Sequence, residues 1–410
     1  MMHRMSWIPH PKHCRLHSVW HAARVINFDA NATAPLCSAA REAWLEAVDR
    51  FPGNPSSQHR LGTRAEAALE QARMEWAEML GCDPGLLIWT SGATESANLL
   101  FYHLAQNAPA NAELWLSPLE HPCVIAAGSR SFSSRVKFVR ASPQGRIELD
   151  SFRRMIETTA PKPSALACMA ANNETGVLQP WTELAEICRE HKVYFVCDAT
   201  QWIGRHPAAG LGSCDFVLGS AHKMGGPKGA GFLKIASTSP WMPLVVGGPQ
   251  ESGRRAGTEN VAALLAMTAT LRERELRFQR GDQLSLVQAR EAFEHALPKA
   301  VPGTRIVGSD SPRLWNTAMA LMPPLPDCQQ RWVVRLDRLG FAVSTGSACA
   351  SGKEKPSHVL EAMGLSADTA AQALRFSVTW ESDPHHWSQL LRALDTLWTT
   401  AIQEVHSPQP

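Results

Sequence analysis

Apolar and polar positions change their spacing repeatedly along this chain. Short apolar runs of strand length fall at Leu86–Thr90, Leu114–Leu116, Val136–Val139, Ala165–Ala170, Tyr194–Cys197, Phe216–Leu218 and Gly231–Ile235. Stretches with helical spacing, such as Ala65–Leu80 and Thr182–Glu190, lie between them. That alternation predicts an α/β domain built on a mainly parallel sheet. A helical run from Asn260 to about Arg280 leads into a different mixture. Helices are expected there over Leu284–Leu297, Gln329–Leu339 and His386–Ile402, and short strands over Arg305–Val307, Thr317–Leu321 and Leu374–Val378. A chain of 410 residues exceeds one ordinary core. The expected division is an N-terminal extension (1–26), a large domain (27–262) and a smaller α+β domain (263–410).

Composition narrows the function classes. A net charge of +2 gives no electrostatic case for nucleic acid. No apolar run approaches the roughly 20 residues that a membrane helix needs. The ten cysteines form no CxxC pair and no metal-ligand spacing with histidine. Cys168 and Cys197 sit inside apolar runs and are expected as buried thiols in a reducing, cytoplasmic setting, with no metal bound. Met1 to Arg24 carries three arginines, one lysine, five histidines and no acidic residue. It is only weakly like a transit peptide, and an untidy extension or a later start is the expectation.

Chemistry concentrates at Ser220-Ala221-His222-Lys223, which follows an apolar run ending in Asp198-x-x-Gln201. A lysine amine can hold pyridoxal phosphate as a Schiff base, and an aspartate at a strand end can keep its pyridine nitrogen protonated. Upstream, Trp89-Thr90-Ser91-Gly92-Ala93-Thr94-Glu95-Ser96 joins a strand, a glycine turn and a helix start. Free amides and the helix dipole at such a junction attract an anion, which here would be the cofactor phosphate.

These blocks do not stand alone. Asp29-Ala30-Asn31-Ala32-Thr33, Gly53-Asn54-Pro55-Ser56-Ser57-Gln58-His59, Glu120-His121-Pro122, Asn172-Asn173-Glu174-Thr175-Gly176, Gly253 to Asn260, Ser344 to Cys349 and Arg375-Phe376-Ser377 complete an ordered set across residues 27 to 380. Together they resemble the cysteine desulfurases of the NifS-like group. That group lies in the class V branch of fold-type I pyridoxal-phosphate enzymes, whose large domain carries a mainly parallel seven-stranded sheet. The resemblance implies that Lys223 holds the cofactor and acts as base at the substrate Cα. Asp198 would pair with the pyridine nitrogen and Gln201 with the ring oxygen. Ser220, His222, Thr94 and the Ala93 backbone would bind the phosphate. His121 would stack on the ring and handle protons, and Asn173 would sit near the ring oxygen and the substrate carboxylate.

Three further positions matter. In the alternating segment around Arg375, Leu374, Phe376 and Val378 share one strand face, which turns the arginine to the other. The resemblance makes Arg375 the fork for the substrate carboxylate. Cys349 lies in the small-residue run Ser344 to Gly352, expected to be a mobile, exposed loop whose thiolate takes the substrate sulfur as a persulfide. Thr258 would reach the cofactor phosphate of a neighbouring subunit, which implies a homodimer. The implied reaction is removal of sulfur from L-cysteine to give L-alanine, with transfer to a sulfur-acceptor protein, either an iron–sulfur scaffold or a thiolation protein. Selenocysteine lyase activity uses the same residues, while an aminotransferase or other class V lyase would not need Cys349. A purely partner-binding role would be favoured by loss of Lys223 or Cys349, and both are present.

The chain departs from the family pattern at Ala30, Ala34, Ser252, Trp315 and Thr379-Trp380. Together they leave the acceptor-facing surface open: Ser252 and Trp380, with the short tail after the last helix, are expected to alter it and suit a specialised acceptor, the alternative being docking through other surfaces, to which the tail is irrelevant.

Overall fold

The computed structural model describes residues 25–237, 240–323, 328–346 and 356–406. The first 24 residues and Cys349 lie outside these ranges. In chain order the strands are β1 (Ile26–Asn27), β2 (Leu87–Thr90), β3 (Leu114–Leu116), β4 (Val136–Phe138), β5 (Ala165–Met169), β6 (Tyr194–Asp198), β7 (Phe216–Ser220), β8 (Gly231–Lys234), β9 (Arg305–Ile306), β10 (Thr317–Leu321), β11 (Phe341–Ala342) and β12 (Ala373–Ser377).

Seven strands form the main sheet in the order β2-β8-β7-β6-β5-β3-β4. All neighbours are parallel except β8, which runs antiparallel to both β2 and β7. The central strands are apolar on both faces because helical layers cover both. Phe195 and Cys197 of β6 pack into a cluster with Trp76, Trp115 and Phe152, while Val196 packs on the other side with Phe101 and Phe132. The expected strand at 216–218 continues to Ser220 because Gly219 and Ser220 pair with Phe232 and Gly231. A Cβ at 219 would lie 2.6 Å from the Phe232 ring, so only glycine lets β7 run on. The carboxyl ends of β2, β5, β6 and β7 consequently share one edge of the sheet, the usual ligand edge of an open α/β fold.

The C-terminal part carries a three-stranded antiparallel sheet, β12-β10-β9, and the pair β1-β11. Its core gathers Phe293, Trp332, Phe376 and Trp387, and Phe28 from near the start of the chain joins them. The helix Val261–Arg280 instead sends Ala263, Leu264, Met267 and Leu271 into the large core. Cys168 and Cys197 are buried as expected. No helix among the described residues is long and apolar enough to cross a membrane.

Candidate active site

The candidate anion cradle is built where β2 ends. Gly92 turns the chain at φ +151°, and the helix Ala93–Asn107 begins at the next residue with no side-chain cap of its own. The Ala93 amide donates instead to Ser220 Oγ at 2.9 Å, from the end of β7. A Cβ at 92 would sit 2.9 Å from that same oxygen, and one at 231 would sit 2.5 Å from the Gly92 Cα. Glycine at both positions thus allows the helix N-terminus and two strand ends to converge. They open on a cavity of about 290 Å³ whose lining includes Ala93, Thr94, His121, Asn173, Asp198, Gln201, Ser220, His222 and Lys223. Nine of the expected residues are therefore in one pocket.

Asp198 ends β6, buried, with one carboxylate oxygen accepting the Thr200 amide at 2.8 Å. Burial raises its pKa, and Thr200 and the Lys223 charge oppose that rise. Gln201 donates from Nε2 to the Asn31 carbonyl at 3.1 Å, while its buried Oε1 has no hydrogen-bond partner among the described residues. Lys223 follows β7 by one tight turn, and its ammonium donates to the carbonyls of Asn31 (2.9 Å) and Ala32 (2.8 Å). His222 contacts Thr33 Oγ1 through Nδ1 at 3.2 Å. Burial, followed by the Lys223 charge, pushes His222 down to about 4.

His121 caps the helix Pro122–Phe132, its Nδ1 accepting the Cys123 amide at 3.2 Å. Burial, then Lys223 and His358, lowers its pKa to about 4. The ring is thus neutral at pH 7 with its proton on Nε2, since Nδ1 is an acceptor. Arg375, on β12, is buried; its Nη2 donates to Asp29 at 2.6 Å and its Nη1 to the Asn173 carbonyl at 3.0 Å. Its Nε has no partner among the described residues. Thr258 is exposed and does not line this pocket.

Sequence reasoning gave no role to Asn31 or Arg205, yet both organise the site. Asn31 offers its carbonyl to Lys223 and Gln201, and its side chain meets Thr317, Asn316 and Arg205. Arg205, fully buried, donates to the carbonyls of Gln201 (3.0 Å) and Lys223 (2.9 Å). Their links to Lys223 and Gln201 run through backbone carbonyls, so side-chain spacing carried no signal for them. The family departures also land here. Trp315 and Trp380 pack at 4.5 Å, and their indole N–H groups donate to the carbonyls of Arg205 (3.0 Å) and Gly204 (2.7 Å). Ala30, Ala34 and Thr379 join them around a small cavity that touches Lys223. Trp315 and Trp380 are buried and brace the lysine loop from behind, so Trp380 does not form the surface expected of it from sequence. Ser252 is exposed.

The profile of the aminotransferase class-V family matches residues 26–385. A cysteine desulfurase from Klebsiella pneumoniae is 34% identical over 358 residues, covering 86% of this chain and 88% of its own. One from Cereibacter sphaeroides is 33% identical over 368 residues, covering 88% and 91%. Among solved structures, a NifS-like protein gives a TM-score of 0.82 at 26% identity, covering 92% of this chain and 100% of its own. SspA, solved in complex with cysteine, gives 0.73 at 27% identity, covering 86% and 98%. The chain belongs to the aminotransferase class-V family and, within it, to the cysteine desulfurases.

Proposed function

We propose that this chain binds pyridoxal phosphate at Lys223 and removes sulfur from L-cysteine, leaving L-alanine and a persulfide on Cys349. The observation that carries the reading is the pocket itself. A helix N-terminus and the Ser220 hydroxyl lie at one part of it, a buried Asp198 at another, and the Lys223 ammonium in the same cavity. The residues fit the cofactor. The cradle suits a phosphate, Gln201 Oε1 is a buried acceptor still lacking a donor, and Asp198 suits a protonated ring nitrogen.

When bound, pyridoxal phosphate supplies an electron sink for the bonds broken at the substrate Cα and Cβ. Lys223 Nζ, held by two backbone carbonyls, takes the Cα proton when it stands as the neutral amine. His121, neutral and fixed through Nδ1, holds the proton at Nε2 that the sulfur chemistry exchanges. Arg375, with Asn173 beside it, orients the substrate carboxylate. The Cys349 thiolate attacks the substrate sulfur; an S–S bond forms, the C–S bond breaks, and its electron pair stays with carbon. That carbon takes up a proton, Lys223 returns the proton it holds to Cα, alanine leaves, and the persulfide passes to an acceptor protein.

A homodimer completes this reading. Met242, Leu244, Val245 and Val246 are exposed, Val246 at 76%, and lead into the loop that carries Thr258. A second copy would cover them and bring Thr258 to the partner's phosphate. The test is Cys349→Ala beside Lys223→Ala. The first should keep a spectral response to cysteine but release no sulfide; the second should lose turnover. Sulfide release at the normal rate from Cys349→Ala would remove the loop thiol from the mechanism.

A further inference from the structure

A buried ion pair lies between the cradle and the loop that carries Thr258, and the chemistry above does not use it. Arg73, in the helix Arg60–Leu80, donates from Nη1 and Nη2 to the two carboxylate oxygens of Glu251, each at 3.0 Å. The Glu251 side chain is wholly buried. The same two residues also finish the outer edge of β2. Arg73 Nη1 donates to the Leu87 carbonyl at 2.8 Å, and the Trp89 amide donates to Glu251 Oε2 at 2.9 Å. Among the described residues β2 has β8 as its one neighbour in the sheet, so these backbone groups face outward. The ion pair stands where another strand would otherwise satisfy them.

Glu251 and Ser252 hold φ values of +49° and +57°, two successive non-glycine residues in the left-handed region. Such backbone persists only where its surroundings over-determine it, and it is concentrated at functional sites. The surroundings here are specific. Arg254 donates to the Gly85 carbonyl at 2.6 Å, before β2. Arg255 Nε donates to Glu95 at 2.7 Å, and the other Glu95 oxygen accepts the Ser91 amide at 2.6 Å, inside the cradle turn. The loop is therefore tied to β2 before, along and after the strand.

We propose that Arg73 and Glu251 are positioning residues that lock two functional parts into one rigid piece: the phosphate cradle of a protomer, and the arm Gly253–Asn260 that it lends to its partner. This rests on the reading of Thr258 given above. Each clasp then supports two sites, its own through β2 and the partner's through the arm. Retention of the cofactor phosphate depends on it even though neither residue touches the pocket.

The experiment follows loss of the visible cofactor absorbance when holoenzyme is diluted into buffer with a carbonyl scavenger. It compares wild type, Thr258→Ala, Glu251→Gln, Arg73→Lys and the double variant Thr258→Ala/Glu251→Gln. Thr258→Ala should lose cofactor faster. Glu251→Gln should do so by roughly tenfold or more, because Arg73 loses a charged bidentate partner. The double variant should be no faster than Glu251→Gln alone, since the arm is already displaced. Arg73→Lys keeps the charge without the fork and should fall between Glu251→Gln and wild type; it decides the matter if Glu251→Gln does not fold. Wild-type retention in Thr258→Ala would remove the reading of the arm, and this inference with it. Fast loss in Thr258→Ala with wild-type loss in Glu251→Gln or Arg73→Lys, or with additive effects in the double variant, would leave the arm in place and overturn the clasp.

Discussion

Replacing Arg375 with alanine tests how this site handles a carboxylate. The guanidinium is already shared: Nη2 is committed to Asp29 at 2.6 Å and Nη1 to the Asn173 carbonyl at 3.0 Å. A charge-assisted contact to a substrate carboxylate contributes roughly 1.5–3 kcal/mol, or about 10- to 150-fold in affinity. Because Asp29 partly neutralises Arg375 beforehand, the lower half of that range is expected, about 10- to 40-fold in KM for cysteine. A stability cost comes with it, since Asp29 loses its partner. Its side chain is 30% exposed, so water takes over part of the interaction. The cost should be about 1–3 kcal/mol, below the roughly 3–5 kcal/mol seen for fully buried pairs. The companion variant Asp29→Asn removes the competing carboxylate and should lower KM. The assays are the cysteine dependence of sulfide release and a urea unfolding curve for each variant. A folded Arg375→Ala protein with unchanged KM would place the arginine outside substrate binding. An Asp29→Asn protein with raised KM would show that Asp29 aims the guanidinium instead of competing for it.

Other outcomes follow from the same structure. His121, His206 and His222 are each pushed down to about 4, in every case chiefly by burial. They fold neutral and would take up protons unfolded near pH 6.5. Stability is thus fully present above about 6.5 and is lost as pH falls towards 4, by up to ~1.4 kcal/mol per pH unit for each. His206 does not line the pocket, so His206→Gln should flatten that slope in urea midpoints at pH 7 and pH 5; an unaltered slope refutes the assignment. Gly92→Ala places a Cβ 2.9 Å from Ser220 Oγ at φ +151° and should cost about 1–3 kcal/mol while loosening the cofactor. A thermal midpoint and cofactor retention equal to wild type would show that the cradle tolerates a side chain.

The central strands were legible because each is apolar on both faces, and a run such as Phe216 to Leu218 has few other readings. The two-residue strands β1 and β11 were not, since their pairing comes from partners more than three hundred residues apart, Ile26 with Phe341. The pocket residues were legible where chemistry sits in a local motif, as at Ser220 to Lys223. Asn31 escaped because its carbonyl, which any residue possesses, is what meets Lys223 Nζ. Glu251 escaped because its partner Arg73 lies 178 positions away on an ordinary amphipathic helix. The departures at Ala30, Trp315 and Trp380 looked unrelated in sequence and became one cluster only once β10 and β12 were folded beside the lysine loop.

The threading of residues 26–31 through the C-terminal sheet also sets an order of events during synthesis. Asp29 meets Arg375, and the Asn31 amide meets Ser377, across 346 positions of chain. A ribosome therefore finishes the large sheet, the cradle and Lys223 long before the strand that closes the site exists. Until β12 and the residues after it emerge, Phe28 has no Phe376 or Trp387 to pack against, and this earlier stretch of the nascent chain keeps part of its apolar surface open. Such distant pairing is slow to form. Acquisition of a competent site is thus a late event, and the interval before it is when this chain is most open to aggregation.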